Sequence, residues 1–218
     1  GAAERLRRLQ IDGLPRVIDG GLTPEGTAFL VTERLRGVDL ASVDEPSATP
    51  RLGWLLEVLG VLERLGAAGV THGNLTPDNV LLLGDPPGDR VRLVGLGTAD
   101  FLLGVRPEVW PGAARNRAFL APELAGGTLH PTSDRYSFAA VAAATLGLER
   151  RAAGEPRVVA PRGAEDVLRD LPVLCAVLSA ALHPDPGRRT VAFDELRDAL
   201  ARAFPDDPSM PIPGLAGA

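Results

Sequence analysis

The chain has 218 residues, a formal net charge of −5 and 45% hydrophobic against 23% charged residues. That is the profile of one soluble globular domain with its own core, which excludes disorder throughout, a collagen-like repeat and a disulfide scaffold. Without an extended basic stripe, a nucleic-acid partner is not expected.

Residues 4–10 predict the end of a helix, broken at Ile11-Asp12-Gly13. Two strands are predicted at Leu14–Asp19 and Thr27–Glu33, joined by the glycine-rich turn Gly20–Gly26. Arg36-Gly37 reads as a hinge and Glu45–Pro50 as a loop. Leu52, Leu55, Val58, Leu59, Leu62 and Leu65 recur at helical spacing, predicting a helix over 51–68 that Gly66 and Gly69 close. Val80–Leu83 and Val91–Val94 predict two apolar strands across the turn Gly84–Arg90, followed by a long irregular segment, 95–123. Ser133–Leu148 predicts a helix apolar on all sides, which belongs in a core. Its strongest apolar run, Tyr136–Leu148, is too short to cross a bilayer, so no membrane insertion is expected. Residues 151–164 read as a loop, and the arginine-rich stretch 150–162 as a solvated loop in preference to a docking surface; two helices are then predicted over about 165–182 and 190–203. Cys175, the only cysteine, lies in the apolar run Leu171–Leu182; it cannot form an internal disulfide, and a cytoplasmic location is expected. The tail 205–218, with four prolines and two glycines, is expected to be mobile. The chain opens on Gly-Ala without a methionine or a signal peptide, and reads as part of something longer.

One segment carries chemistry. Thr71-His72-Gly73-Asn74-Leu75-Thr76-Pro77-Asp78-Asn79-Val80 resembles the catalytic loop of protein kinases, His-Arg-Asp-Leu-Lys-Pro-Glu-Asn. Four further matches follow in order. Val91–Gly97 stands where the family has a strand and Asp-Phe-Gly, and Ala121-Pro122-Glu123 is its Ala-Pro-Glu motif. Ser133–Phe138 is similar to the start of its buried central helix, and Asp185-Pro186-Gly187-Arg188-Arg189 to its late Asp-Pro-x-x-Arg motif. The resemblance is to bacterial Hanks-type Ser/Thr protein kinases and covers nearly all of residues 1–204. It implies an α+β fold: residues 1–37 a remnant of the small lobe, 38–204 the mainly helical large lobe, and 205–218 a flexible tail. It also places Thr32 at the gatekeeper, Glu33 to Leu35 at the adenine hinge, and Asp39 near a ribose, with Leu81 a further candidate nucleotide contact.

The catalytic parts depart from the family. The carboxylate that accepts the substrate hydroxyl proton is replaced by Asn74, a neutral amide that cannot serve as a base near neutral pH. The metal-binding aspartate is replaced by Gly95, which offers no side-chain oxygen to a hard cation. All 23 basic residues are arginine, so no lysine is present to pair with phosphates, and Thr76 replaces the loop lysine. The partner glutamate of that lysine would fall at Ala2, with Glu4 close by. Asn79 is the one metal-ligand position kept. The regulatory parts are gone too. Gly73 replaces the arginine that receives an activation-loop phosphate, and no Ser, Thr or Tyr occurs from Ala99 to Gly127. Asp100 reads as an exposed loop carboxylate rather than a displaced metal ligand. His130 and His183 have no ligand neighbours at zinc spacing.

The scaffold positions survive: a buried His72, an ion pair between Glu123 and Arg189, Asp134 accepting backbone N–H groups around His72, and an apolar stack of Leu6, Val17, His72 and Leu96. The resemblance therefore implies a pseudokinase, a binding, scaffold or allosteric module acting on a protein partner or attached domain. No cofactor is expected, and ATP binding, if it occurs, would depend little on Mg²⁺. Two alternatives stand beside it. One is a Ser/Thr kinase or ATP-binding protein whose missing small lobe lies upstream. The other is a small-molecule phosphotransferase of the aminoglycoside type, which shares the His-Gly of the loop.

Overall fold

The computed structural model describes Arg8 and residues 10–24, 28–45, 47–84, 90–96, 116–151 and 156–207. Strands β1 (Val17–Leu22) and β2 (Ala28–Thr32) form an antiparallel pair. The short strand β3 (Val38–Asp39) pairs with β4 (Val80–Leu83), which pairs with β5 (Arg90–Leu93). Helices α1 (Ala48–Ala67), α2 (Pro122–Ala125) and α3 (Ser133–Thr145) follow their own order in the chain, α1 before β4 and the others after β5. A hairpin of β6 (Glu149–Arg151) and β7 (Arg157–Val159) leads to α4 (Leu171–Ala181) and α5 (Phe193–Arg202).

The core is helical. The leucines of α1 that carry the sequence periodicity are buried, and α1 packs against α3, α5 and β5. Phe138 through Ala143 of α3 are fully buried, as a helix without a polar face requires. Small alanines let the neighbouring elements approach it closely, and α3 packs against both α1 and α4.

Several expectations shift. β1 begins at Val17 rather than Leu14, because residues 11–14 close a turn (Leu14 N–H to Ile11 O, 3.2 Å) and Pro15 has no amide to donate. It runs on through Gly20 and Gly21, after a bulge between Val17 and Asp19 has reset the register so that Gly21 pairs with Phe29. The predicted hinge leads directly into β3. There Gly37 lies so close to β4 that a Cβ would stand 2.5 Å from the Leu82 carbonyl oxygen. Helix α1 starts at Ala48, because Pro50 is tolerated in a first turn whose amides need no helical acceptor. Helix α4 starts at Leu171 rather than 165; residues 164–166 form a 3-10 turn and Asp170 has φ +43°.

The largest correction concerns 151–164. The hairpin of β6 and β7 occupies part of this predicted loop, with Val158 buried and its N–H donated to Ser179 Oγ (2.8 Å) on α4. Leu6, Ala2, Glu4, Asp100 and most of the tail lie outside the described residues.

Candidate functional site

The loop between α1 and β4 is held from beneath by the first turn of α3. Asp134 is buried, and its two oxygens accept the N–H groups of His72 (2.7 Å) and Gly73 (2.8 Å). Burial raises its carboxyl to about 6, against the pull of these two donors. The loop can follow this carboxylate because Gly73 takes φ +69°, a conformation glycine enters without a Cβ clash.

The His72 ring is fully buried. Its Nε2 lies 3.1 Å from the Val94 carbonyl, and Nδ1 accepts the Asn74 N–H at 3.3 Å. That pairing requires the tautomer with hydrogen on Nε2. Burial holds the imidazole down at about 4, although the Val94 carbonyl favours the proton, so the ring is neutral at physiological pH. His72 is therefore a strut joining the loop to the strand end after β5, and it has no base work to do.

Asn74, Asn79 and Gly95 come together at the loop mouth. Asn79 Nδ2 donates to the Asn74 carbonyl (2.7 Å), and the Val94 N–H donates to the Asn79 carbonyl (2.9 Å). Gly95 has φ +78°, and a Cβ built there would meet the Asn79 amide at 3.1–3.2 Å. The Mg²⁺ that kinases use does not fit this donor set. Gly95 brings no side-chain oxygen, Asn74 brings no carboxylate, and Asn79, whose Nδ2 is spent on the Asn74 carbonyl, has only one neutral amide oxygen to offer. Among the described residues no group of three His, Cys, Asp or Glu could hold a metal ion.

The remaining nucleotide candidates lie along β2, the following linker and the β3–β4 pair. Thr32 ends β2 and is half-buried. Glu33 is turned back to β1: its Oε1 accepts the Arg16 N–H (2.8 Å) while its own N–H donates to the Arg16 carbonyl (2.9 Å). Leu35 is half-buried, and Asp39 sits opposite Leu81 across the β3–β4 ladder. Asp39 Oδ1 is buried without a hydrogen-bond partner among the described residues.

A second polar cluster ties α2 to the turn before α5. Arg189, fully buried, grips Glu123 through both guanidinium nitrogens (2.5 and 2.6 Å). It also donates to the carbonyls of His183 (2.6 Å) and Pro184 (3.0 Å). Ser133 Oγ donates to Glu123 Oε1 (2.7 Å), and the Tyr136 ring lies 5.0 Å from the Arg189 guanidinium carbon. Burial pushes the Glu123 carboxyl up, but the bonds from Arg189 and Ser133 outweigh it and hold it below the ordinary range. Ala121 is buried, and Pro122 opens α2, where its missing N–H costs nothing. Leu96 is buried in the main core and Val17 packs against it, whereas Leu6, the remaining member of the expected stack, lies outside the described residues.

Sequence reasoning did not single out Ser133 and Tyr136 as partners of this ion pair. Their signal is positional: they lie three apart on α3, which puts both on one face. Nor did it find Arg51. This buried arginine of α1 donates to the Thr145 carbonyl (2.8 Å) and the Glu45 carbonyl, clamping the start of α1 to the end of α3.

No family model matches the chain. Two bacterial proteins resemble it in sequence. Serine/threonine-protein kinase pkn2 of Myxococcus xanthus is 27% identical over 232 residues, spanning 93% of this chain and 27% of its own length. Serine/threonine-protein kinase PknG of Mycolicibacterium smegmatis is 27% identical over 202 residues, spanning 86% of this chain and 24% of its own. The chain thus spans about a quarter of the length of these relatives. Among solved structures, the PknI kinase domain of Mycobacterium tuberculosis superposes with a TM-score of 0.62 at 23% identity, covering 91% of this chain and 75% of that one. A single-mutant form of the same domain gives 0.63. The fold is that of a protein kinase, and in sequence the chain is similar to these two bacterial Ser/Thr kinases.

Proposed function

We propose that this domain is a pseudokinase: a kinase-shaped module that acts by binding a protein partner or an attached domain in the cytoplasm, without transferring phosphate. The observation that carries the reading is the glycine at position 95. Where phosphoryl transfer needs a metal-bound carboxylate, the backbone turns through a glycine at φ +78°, where an added Cβ would stand 3.1–3.2 Å from the Asn79 amide. The absence of a base at Asn74 and of any lysine removes two further charges from the same reaction. In contrast, the groups that hold the fold, Asp134 beneath the loop and Arg189 against Glu123, are fully bonded. On this reading residues 1–37 are the small-lobe remnant and 38–204 the large lobe, a division supported by β3 joining β4 and β5 in one sheet.

A second reading, an ATP-binding protein, has one observation in its favour. The buried, unpartnered Asp39 Oδ1 beside Leu81 is an acceptor that a ribose hydroxyl would satisfy. Thermal melts with ATP, with and without Mg²⁺, separate the two. Ligand at about 100 times its Kd adds about 2.7 kcal/mol to stability. A nucleotide-free scaffold gives no shift; an ATP-binding module gives one that Mg²⁺ leaves unchanged. Transfer of labelled phosphate to a generic substrate, beyond trace contamination, overturns the pseudokinase reading.

A further inference from the structure

We propose that the cleft between β7 and α4 is a docking site for an acidic peptide segment of a protein partner, with Arg157 meeting a carboxylate of it and the wall of α4 receiving an apolar side chain. This goes beyond the pseudokinase reading and needs neither nucleotide nor metal.

The cleft has a volume of about 520 Å³, within the range that admits several side chains. Pro172, Ala176 and Ala180 of α4 and Val159 of β7 supply apolar surface, while Arg157, Arg188 and His183 stand in its lining. No carboxylate lines it among the described residues. In a chain of net charge −5, the exposed Arg157 gives this cleft a positive charge with no carboxylate beside it among the described residues, and such a charge steers and holds anionic partners.

The hairpin shows that this charge is held against its own repulsion. Arg157 lies directly opposite Arg151 across the β6–β7 ladder. Like charges at that position destabilise a strand pair. Arg151 bonds to Glu149 (3.2 Å), whereas the Arg157 side chain is exposed and makes no ion pair or hydrogen bond among the described residues. A carboxylate docked at Arg157 would relieve that repulsion. The polar group deeper in the cleft is not free for a small ligand: Ser179 Oγ already accepts the Val158 N–H and donates to the Cys175 carbonyl (2.5 Å). The cleft thus lacks the convergent unused polar groups of a small-molecule site and keeps the mixed apolar and charged character of a peptide groove.

Cys175, the only cysteine, lines this cleft and reports its occupancy. The probe is a fluorescein-labelled peptide with a leucine flanked by glutamates, titrated by anisotropy against the whole chain. The control peptide carries lysine in place of each glutamate. The acidic peptide is expected to saturate, and to slow maleimide labelling of Cys175 at the same concentrations. Arg157→Glu is expected to weaken binding at least about tenfold, while Arg202→Glu, an equal charge change at an exposed position on α5, leaves it unchanged. Binding should also weaken as ionic strength rises from about 0.01 M to about 0.15 M, where the Debye length falls from about 30 to about 8 Å. Because Arg157→Glu removes the repulsion with Arg151, its melting temperature serves as the folding control and should not fall. The proposal is overturned if the acidic peptide does not saturate, if the lysine peptide binds as well, if both variants weaken binding equally, or if bound peptide leaves Cys175 labelling unchanged.

Discussion

Glu123→Ala isolates the ion pair that joins α2 to the late helices. The Arg189 side chain is fully buried and Glu123 only 10% exposed, so solvent screens little of the interaction. The substitution removes two charge-assisted hydrogen bonds of 2.5 and 2.6 Å and the acceptor of Ser133 Oγ. Arg189 keeps the carbonyls of His183 and Pro184 and the face of Tyr136, but no counter-charge. Breaking a buried pair on one side costs about 3–5 kcal/mol, about a fifth or more of the ~5–15 kcal/mol that holds a domain together. At about 2–4 °C per kcal/mol for a chain of this size, the melting temperature falls by about 6–20 °C. Urea denaturation followed by far-UV circular dichroism measures the loss. The double variant Glu123→Leu with Arg189→Met, which leaves no stranded charge, should be less destabilised than Glu123→Ala alone. A single-variant loss below about 1 kcal/mol, the scale of an exposed pair, would refute the reasoning. The pH dependence has a definite sign. The Glu123 carboxyl is held below its ordinary range, so its contribution is complete above that range and disappears as pH falls through the folded value.

Three further outcomes follow from the same geometry. His72, held at about 4 against an ordinary 6.5, contributes stability that is lost as pH falls from 6.5 toward 4, whereas Asp134, held at about 6 against 3.8, gains stability as it takes up its proton over nearly the same window. Each spans about 3 kcal/mol and the two oppose, so the wild type should be nearly flat there, and His72→Gln should leave a protein that becomes more stable as pH drops from 6.5 to 4; an unchanged pH profile of the urea midpoint in that variant contradicts the assignment. Gly95→Asp forces a side chain into φ +78° against Asn79 and should cost about 1–3 kcal/mol by the same urea measurement, and combined with Asn74→Asp it should still give no labelled-phosphate transfer, because no lysine is present to clamp the phosphates. Gly37→Ala should separate β3 from β4, since the new methyl would lie 2.5 Å from a backbone oxygen; loss of hydrogen-exchange protection at Leu40 and Leu82 is the readout, and unchanged protection would contradict it.

Helix α1, helix α3 and strands β4 and β5 were legible in the sequence because their burial imposes a period on the residue types. The motif positions His72, Asn79, Glu123, Asp134 and Arg189 were legible for another reason: each occurs inside a short string whose order and spacing have few alternatives. The β6–β7 hairpin was not. Its arginines, alanines and glycine spell a loop, and only Val158 is buried, through a bond to a serine 21 positions away. Strand β3 was invisible because two residues carry no alternation, and it exists only because Gly37 lets it approach β4.

What the sequence determined by itself was chemical inventory. The lack of a lysine, an amide at 74 and a glycine at 95 are facts that no folding can amend, and they limit what the loop can do to a phosphate. The tertiary structure decided environment. It buried His72 into a neutral strut, set two oxygens of Asp134 under two loop amides, and drew Ser133 and Tyr136 around Arg189. It also laid Arg157 opposite Arg151 along a cleft that no local pattern announces. The reason is that charge state, hydrogen bonding and repulsion depend on distances of a few ångströms between residues far apart in the chain, and packing alone sets those distances.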